Sequence, residues 1–410
     1  MRIGRPAGRL VATITVATVV AVAVVAVAAL FALSSRWFPA PPAMAAPPVT
    51  VAVAQGSTTL VCSGPPQLVS DGGSVVFDPD FDPEAAESTT LVEAFALGRP
   101  GRQAPVGTYL FALADAPDVP RVALAPERAL SAALGVSPVA RPGLLSADPV
   151  AGRAALVAGA TLARSDSGDL RGLAAERCLE PAAGAWLVAG GTELGSSSLL
   201  VFDNPGVTPA TVRIQAWGAV GPVDLASAAS VLVPAGSERA VLLEAFAPDE
   251  PRLAVRLSVQ GGNVAAFVQS SVLDGFVPAG VDLSGPAVAP ATTVVIPGVV
   301  LEESDIDALS PSFLRVVNPG SAPATVQLRM LHEGGEMIIP GAQTRVIDAG
   351  TVSDISLAGV PAGAYAAELV ADQPVTAAAA LTRIGGPSPD DPDQRVVDRA
   401  WIPAAAEVAG

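Results

Sequence analysis

A duplicated stretch constrains this chain more than any other feature. Residues 199–214 read LLVFDNPGVTPATVRI, and residues 313–328 read FLRVVNPGSAPATVQL. Asn204, Pro205, Gly206, Pro209, Ala210, Thr211 and Val212 return as Asn318, Pro319, Gly320, Pro323, Ala324, Thr325 and Val326, always 114 positions later. A shift this regular marks a repeated structural unit. It speaks to architecture and not to a reaction.

Asn-Pro-Gly is turn chemistry. Proline presets φ at the second position of a turn, and glycine accepts the positive φ that a type II turn needs at the third. Gly206 and Gly320 are therefore predicted at φ > 0. Past the first turn, Val212, Ile214 and Ala216 alternate with Arg213, Gln215 and Trp217, which is strand period. In the second copy Val326, Leu328 and Met330 alternate with Gln327 and Arg329. Each copy is expected to be a β-hairpin. Strands are predicted in the first copy near 185–190, 198–203, 210–217, 230–234, 239–244, 252–260 and 264–272. About seven strands in ~100 residues is the count of an immunoglobulin-like sandwich. The expected fold class is all-β, with tandem immunoglobulin-like β-sandwich domains after an N-terminal transmembrane helix. A jelly roll or another two-sheet sandwich has the same periodicity and stays open. A propeller would need more copies than the two found.

The helix rests on residues 10–33, LVATITVATVVAVAVVAVAALFAL, apolar except for three threonines. Such a run can cross a ~30 Å hydrocarbon core. Arg2, Arg5 and Arg9 precede it, which keeps the N-terminus in the cytoplasm. The expected location is the cell membrane, single-pass, with the C-terminal body extracellular and the helix as the contact with the membrane. A cleaved signal peptide is the competing reading, because Ala43-Met44-Ala45 matches the small-x-small cleavage pattern, but its apolar region is usually shorter. The expected divisions are 1–9 cytoplasmic tail, 10–33 transmembrane helix, 34–48 Pro-rich linker, 49–184 diverged β domain, 185–292 first sandwich repeat and 293–410 second repeat. Within the diverged region, strands are read at 49–53, 59–62, 74–77, 108–113 and 153–162, and a short helix at 125–134. Trp186, Val295 and Trp401 open strands of one type, each finishing the sheet of the preceding domain.

Cys62 and Cys178 are the two cysteines of the chain. An even count in an exported chain points to one disulfide, with two buried free thiols as the alternative. Lysine is absent, so all 23 basic residues are arginine, and the net charge is −16. That acidity argues against a nucleic-acid partner.

The chemistry is sparse. His332, the single histidine, sits beside Gly334 and Gly335 at a turn, and a lone histidine there is unremarkable. With no second histidine there is no zinc set, and no Gly-x-Ser-x-Gly elbow accompanies it. Without lysine, Schiff-base and Ser-Lys mechanisms fall away. Acid pairs remain. Asp78, Asp80, Asp82 and Glu84 alternate as in a calcium loop, but Pro83 stands where the required glycine belongs and Thr89 where the bidentate Glu belongs. A solvated acidic loop is the simpler reading there, as it is for 302–307 and 390–393. No catalytic, cofactor or metal residues are expected. Trp186 and Trp401 read as packing residues. Trp217, on the polar phase of its strand, is the candidate exposed ring for stacking on a glycan.

The run from Cys178 through residues 185–191, Asn204-Pro205-Gly206 and Pro209 to Val212, with 294–298 and Asn318-Pro319-Gly320 after it, resembles a family of uncharacterised actinobacterial secreted or membrane-anchored envelope proteins of unknown function. The lysine-free composition, rich in Ala, Val and Arg, fits a high-GC actinobacterium. The resemblance implies an envelope location and supplies no catalytic residues. The expected function is a membrane-anchored, non-enzymatic structural or interaction role toward an envelope protein or glycan partner. A glycan-binding accessory to cell-wall polysaccharide assembly is the alternative, and a hydrolase with an acid pair ranks last.

Overall fold

The computed structural model describes residues 18–30, 56–68, 88–98, 106–128, 130–308, 310–337, 339, 344–388, 392–393 and 395–405. The chain divides into two compact units, 1–54 and 55–410.

In the first unit, residues 18–30 form a helix. At 1.5 Å per residue these described residues span about 20 Å, against a hydrocarbon core of ~30 Å. Among the described residues no helix is long and apolar enough to cross a membrane. The expected transmembrane helix, the membrane contact through it and the single-pass location are corrected accordingly. Residues 1–17 and 31–48, which hold the expected tail and linker and the ends of the expected span, lie outside the described residues.

The second unit is built of antiparallel strands, with short 3-10 helices at Ala226–Ala229 and Leu243–Ala245. Its strands are β1 (Thr58–Cys62), β2 (Ser88–Leu97), β3 (Gly107–Leu110), β4 (Arg121–Ala123), β5 (Ala125–Arg128), β6 (Ser131–Val136), β7 (Gly143–Ala147), β8 (Leu156–Ser165) and β9 (Gly172–Arg177). They continue with β10 (Gly184–Leu187), β11 (Ser196–Asn204), β12 (Ala210–Trp217), β13 (Pro222–Val223), β14 (Ser230–Val233), β15 (Ser237–Leu242), β16 (Ala254–Gln260), β17 (Ala265–Asp274) and β18 (Val277–Ser284). Last come β19 (Ala291–Leu301), β20 (Phe313–Asn318), β21 (Ala324–His332), β22 (Gly335–Met337), β23 (Thr344–Ile347), β24 (Thr351–Ser356), β25 (Gly363–Pro387) and β26 (Arg395–Pro403). Residues 125–134, read from the sequence as a helix, are β5 and most of β6, and Leu134 lies opposite Ala94 of β2. The strands read at 49–53 and 74–77 lie outside the described residues.

One strand order occurs three times. The ladders β1-β7-β3-β4, β10-β16-β12-β14 and β19-β25-β21-β23 correspond, and so do β6-β2-β8-β9, β15-β11-β17-β18 and β24-β20-β25-β26. The isolated bridges Val61↔Leu179, Trp186↔Ala287 and Val295↔Ala405 fall at equivalent places in the three copies. The first copy lacks Asn-Pro-Gly, so its kinship with the other two is carried by backbone pairing and not by side chains.

The fold is 58 % strand and 6 % helix and resembles a four-bladed β-propeller. Tandem immunoglobulin-like sandwiches are not what forms, and the propeller, set aside for want of copies, is the nearer description. The physical reason is that period-2 alternation reports which residues face inward but not which strands pair. The expected sandwiches would each be closed on its own core. Here edge strands β9, β18 and β26 pack on one another, and β25 runs unbroken from the sheet of β19 and β21 into that of β20 and β26. Apolar side chains cross the seams as well. Val61, Leu113 and Leu179 pack with Ala265 and Phe267. Val188, Trp217 and Ala254 pack with Val317, Val352 and Ala378. Sheets drawn round a shared centre in this way leave few open edges.

The repeated stretch is not a hairpin. β11 lies in the sheet with β15, β17 and β18, whereas β12 lies in the sheet with β10 and β16; β20 and β21 are divided in the same way. Each Asn-Pro-Gly loop therefore arches from one sheet to another. The burial pattern agrees. β11 and β20 are buried along almost their whole length, as strands covered on both faces are, and β12 and β21 alternate.

Candidate functional site at the meeting of three strands

The Asn-Pro-Gly loops are built by the asparagine. Asn204 is completely buried. Its Oδ1 accepts from the Gly206 N–H at 2.9 Å, and its Nδ2 donates to the carbonyls of Thr208 at 2.9 Å and Val233 at 3.1 Å. Asn318 repeats the pattern: its Oδ1 accepts from the Gly320 N–H at 3.0 Å, and its Nδ2 donates to the carbonyls of Ala322 at 2.8 Å and Ile347 at 3.1 Å. The side chain takes the place of a turn, so neither Gly206 nor Gly320 has positive φ. The predicted type II geometry is corrected. Glycine is suited to the position for another reason, since a Cβ on Gly206 would come within 3.0 Å of Asn204 Oδ1, and one on Gly320 within 3.1 Å of Asn318 Oδ1. Pro205 and Pro319 fill the position between.

Cys62 and Cys178 form a disulfide, with Cα atoms 4.1 Å apart and both residues buried. It ties β1 to the end of β9. Trp217 is 9 % exposed, stacked on Trp186 with ring centroids 5.0 Å apart, inside the seam between the second and third copies. It offers no ring to a glycan, and the exposed-platform expectation is corrected: the β12 alternation breaks at its last two residues, where a neighbouring copy covers the outer face. Trp401 does not occupy the same place as Trp186. It lies in β26, paired with β25, while Trp186 lies in β10, paired with β16. His332 is exposed at a turn and accepts the Gly334 N–H at its Nδ1. The acidic run from Asp78 to Glu84 lies outside the described residues, and among the described residues no group of acids, histidines or cysteines could hold a metal ion.

Sequence reading missed the groups at the centre. β9, β18 and β26 present edge amides to one another, and carboxylates satisfy them. Asp282 on β18 accepts from the Ala175 N–H of β9 at 3.2 Å and from the Trp401 N–H of β26 at 2.6 Å. Glu176 on β9 accepts from the Gly285 N–H, just past β18, and from its neighbour's Arg177 N–H at 2.9 Å. Asp398 on β26 accepts from the Leu173 N–H of β9 at 3.4 Å. Burial pushes the Glu176 carboxyl up to about 7, with the amide bonds and Arg177 opposing. It pushes Asp282 up to about 8, against its amide bonds and with a contribution from Glu176. Burial raises Asp398 too. One signal was available in the sequence: strand phase places Glu176 with Ala174 and Cys178 on the inward face. Asp282 gave none, because every residue of β18 is buried.

Two further buried polar groups accompany them. Asp203 faces Glu238 across the β11–β15 ladder, and burial, then the charge of Glu238, holds its carboxyl well above the usual range. This is an acid pair, but Asp203 has no exposed surface, and Glu238 is held by the Gln67 amide at 2.9 Å. Arg315 on β20 is 3 % exposed. Its Nε and Nη2 donate to the Asp354 carboxylate at 2.9 and 3.0 Å, and it also donates to the carbonyls of Gly190 and Pro251 in the second copy. Its guanidinium lies 5.0 Å from the Trp401 ring centroid.

Fold and site together define a mostly β, propeller-like protein with one disulfide, whose repeats are fastened by buried carboxylates and an arginine. The chain belongs to a family of unknown function (DUF5719), whose model matches residues 133–410, from β6 to the C-terminus. A search of the curated proteins and a search of the solved structures each find no match.

Proposed function

We propose that this is an exported, non-enzymatic protein that binds or organises another component of the cell envelope, and that it comes from an actinobacterium. The observation that carries the location is the Cys62–Cys178 disulfide, since such bonds persist in oxidising compartments. The lysine-free, arginine-only basic set supports the origin. The absence of catalysis is argued from how the unusual acids are used. Glu176, Asp282 and Asp398 spend their oxygens on backbone amides of neighbouring strands, and Asp203 is sealed. Acids committed in this way hold repeats together.

The test uses the full chain in its own cells. A photo-crosslinking side chain is placed at Leu194, Val207 or Phe276, all strongly exposed, and the products are digested without reduction. The expected result is a linked Cys62–Cys178 peptide in material crosslinked to one recurring envelope component. Free thiols at both positions overturn the exported location. A saturable turnover of wall polymer by the purified chain overturns the non-enzymatic reading.

A further inference from the structure

Between the second and third copies lies a cavity of about 290 Å³, near the lower end of the size range of small-molecule sites. Its walls come from both copies, including β26 of the third. Arg399 and Trp401 stand on the same face of β26, and Thr382 lies opposite Arg399 in the β25–β26 register. The Arg399 guanidinium makes no hydrogen bond or ion pair among the described residues, and its Nε is shut off from solvent. Its neighbour Arg315 is spoken for by Asp354 and two carbonyls, and Arg252 reaches the same Asp354 at 3.4 Å. Arg399 thus differs from both: it is the lining arginine that no carboxylate or carbonyl holds among the described residues.

The backbone makes room to bring it there. Gly280 on β18 has φ +114, and a Cβ at that position would fall 2.7 Å from the Arg399 N and 3.1 Å from its Cβ and Cγ. A conformation that side chains rarely adopt is used where the Arg399 stem passes. Burying a guanidinium without a partner is costly, and burial accordingly lowers its proton affinity, with Arg315 adding to the effect and Glu193 and Asp274 opposing it. Glu193 also lines the cavity, but no bond joins it to Arg399.

We propose that this cavity binds a small oxyanion, a carboxylate- or phosphate-bearing molecule, with Arg399 as its principal donor. Planar guanidinium donors match the oxygens of both groups. Thr382 and Ser270 line the same space, and the Arg315–Trp401 stack gives it a rigid wall. This goes beyond the envelope role proposed above and does not depend on it.

The experiment is calorimetric titration of the full chain at fixed ionic strength with inorganic phosphate, with citrate, and with sodium chloride as control. Saturable binding of phosphate or citrate is expected, and which of the two binds distinguishes the source of the oxyanion. Arg399→Gln should weaken that binding by about tenfold or more, the scale of a lost charge-assisted contact. Arg399→Lys should retain part of it. Glu193→Gln, which removes a competing acid, should tighten it. If Arg399→Gln does not fold, Thr382→Val serves in its place and should weaken binding severalfold. No saturable binding beyond chloride overturns the proposal. So does equal affinity in a folded Arg399→Gln, or a Glu193→Gln variant that loses stability without gaining affinity, because Glu193 would then be the partner of Arg399.

Discussion

Replacing Asn204 by alanine tests the account of the repeated loop most directly. The change removes three hydrogen bonds, to the Gly206 N–H and to the carbonyls of Thr208 and Val233. It does so at a position with no exposed surface. Each net bond is worth about 0.5–1.5 kcal/mol, and buried groups left without partners cost at the upper end. The sum is a loss of about 2–4 kcal/mol, read from urea unfolding of the full chain at 25 °C. Gly206→Ala is the contrasting variant. With no positive φ to strain, its cost comes only from a Cβ 3.0 Å from Asn204 Oδ1 and should stay within about 1 kcal/mol, as for most changes without a named mechanism. The two should also be coupled. Once Asn204 is alanine the oxygen is gone, so the double variant should unfold like Asn204→Ala alone. The reasoning is refuted if Gly206→Ala destabilises more than Asn204→Ala. It is also refuted if the two losses simply add, because the loop would then be held by glycine's backbone freedom and not by the asparagine side chain.

Three further outcomes are expected. Glu176 and Asp282 have folded-state pKa values raised to about 7 and about 8, so folding favours their protonated forms; their contribution is full near pH 4 and is lost as pH rises through 7 and 8. The melting temperature should fall between pH 5 and pH 9, and Glu176→Gln should flatten that slope; a slope unchanged in the variant would contradict the assignment. Cys62→Ser with Cys178→Ser opens a link spanning 116 residues and should cost up to ~4–5 kcal/mol, seen as a lower urea midpoint that reducing agent lowers no further. Arg315→Leu leaves two carbonyls without their donor and Asp354 with Arg252 alone at 3.4 Å and should cost about 3 kcal/mol; Arg315→Lys should recover only a fraction, since a point charge cannot span those acceptors, and full recovery by lysine would show that charge alone matters.

Local chemistry was legible along the chain. Alternation located β12 at its full extent and most strands of the second copy to within a few residues, because facing inward or outward every second residue is a property of one strand. The regular offset between Asn204 and Asn318 exposed a repeat. The even cysteine count pointed to the bond between Cys62 and Cys178. What tertiary structure decided is everything that depends on a second strand. Which sheet receives β12 after β11 is a choice between pairing partners far apart in sequence, and it turned an expected hairpin into an arch. The first copy kept the strand order without Asn-Pro-Gly, because ladder bonds are made by backbone and tolerate side-chain divergence. Trp217 lies on the outward phase of its own strand and is buried where Trp186 and residues of another copy cover it. Asp282 and Arg315 follow the same logic: each acquires its role from amides and carbonyls in a neighbouring copy, and no pattern within β18 or β20 could announce them. Sequence periodicity encodes the environment that a strand makes for itself, whereas these residues are defined by the environment that other strands bring to them.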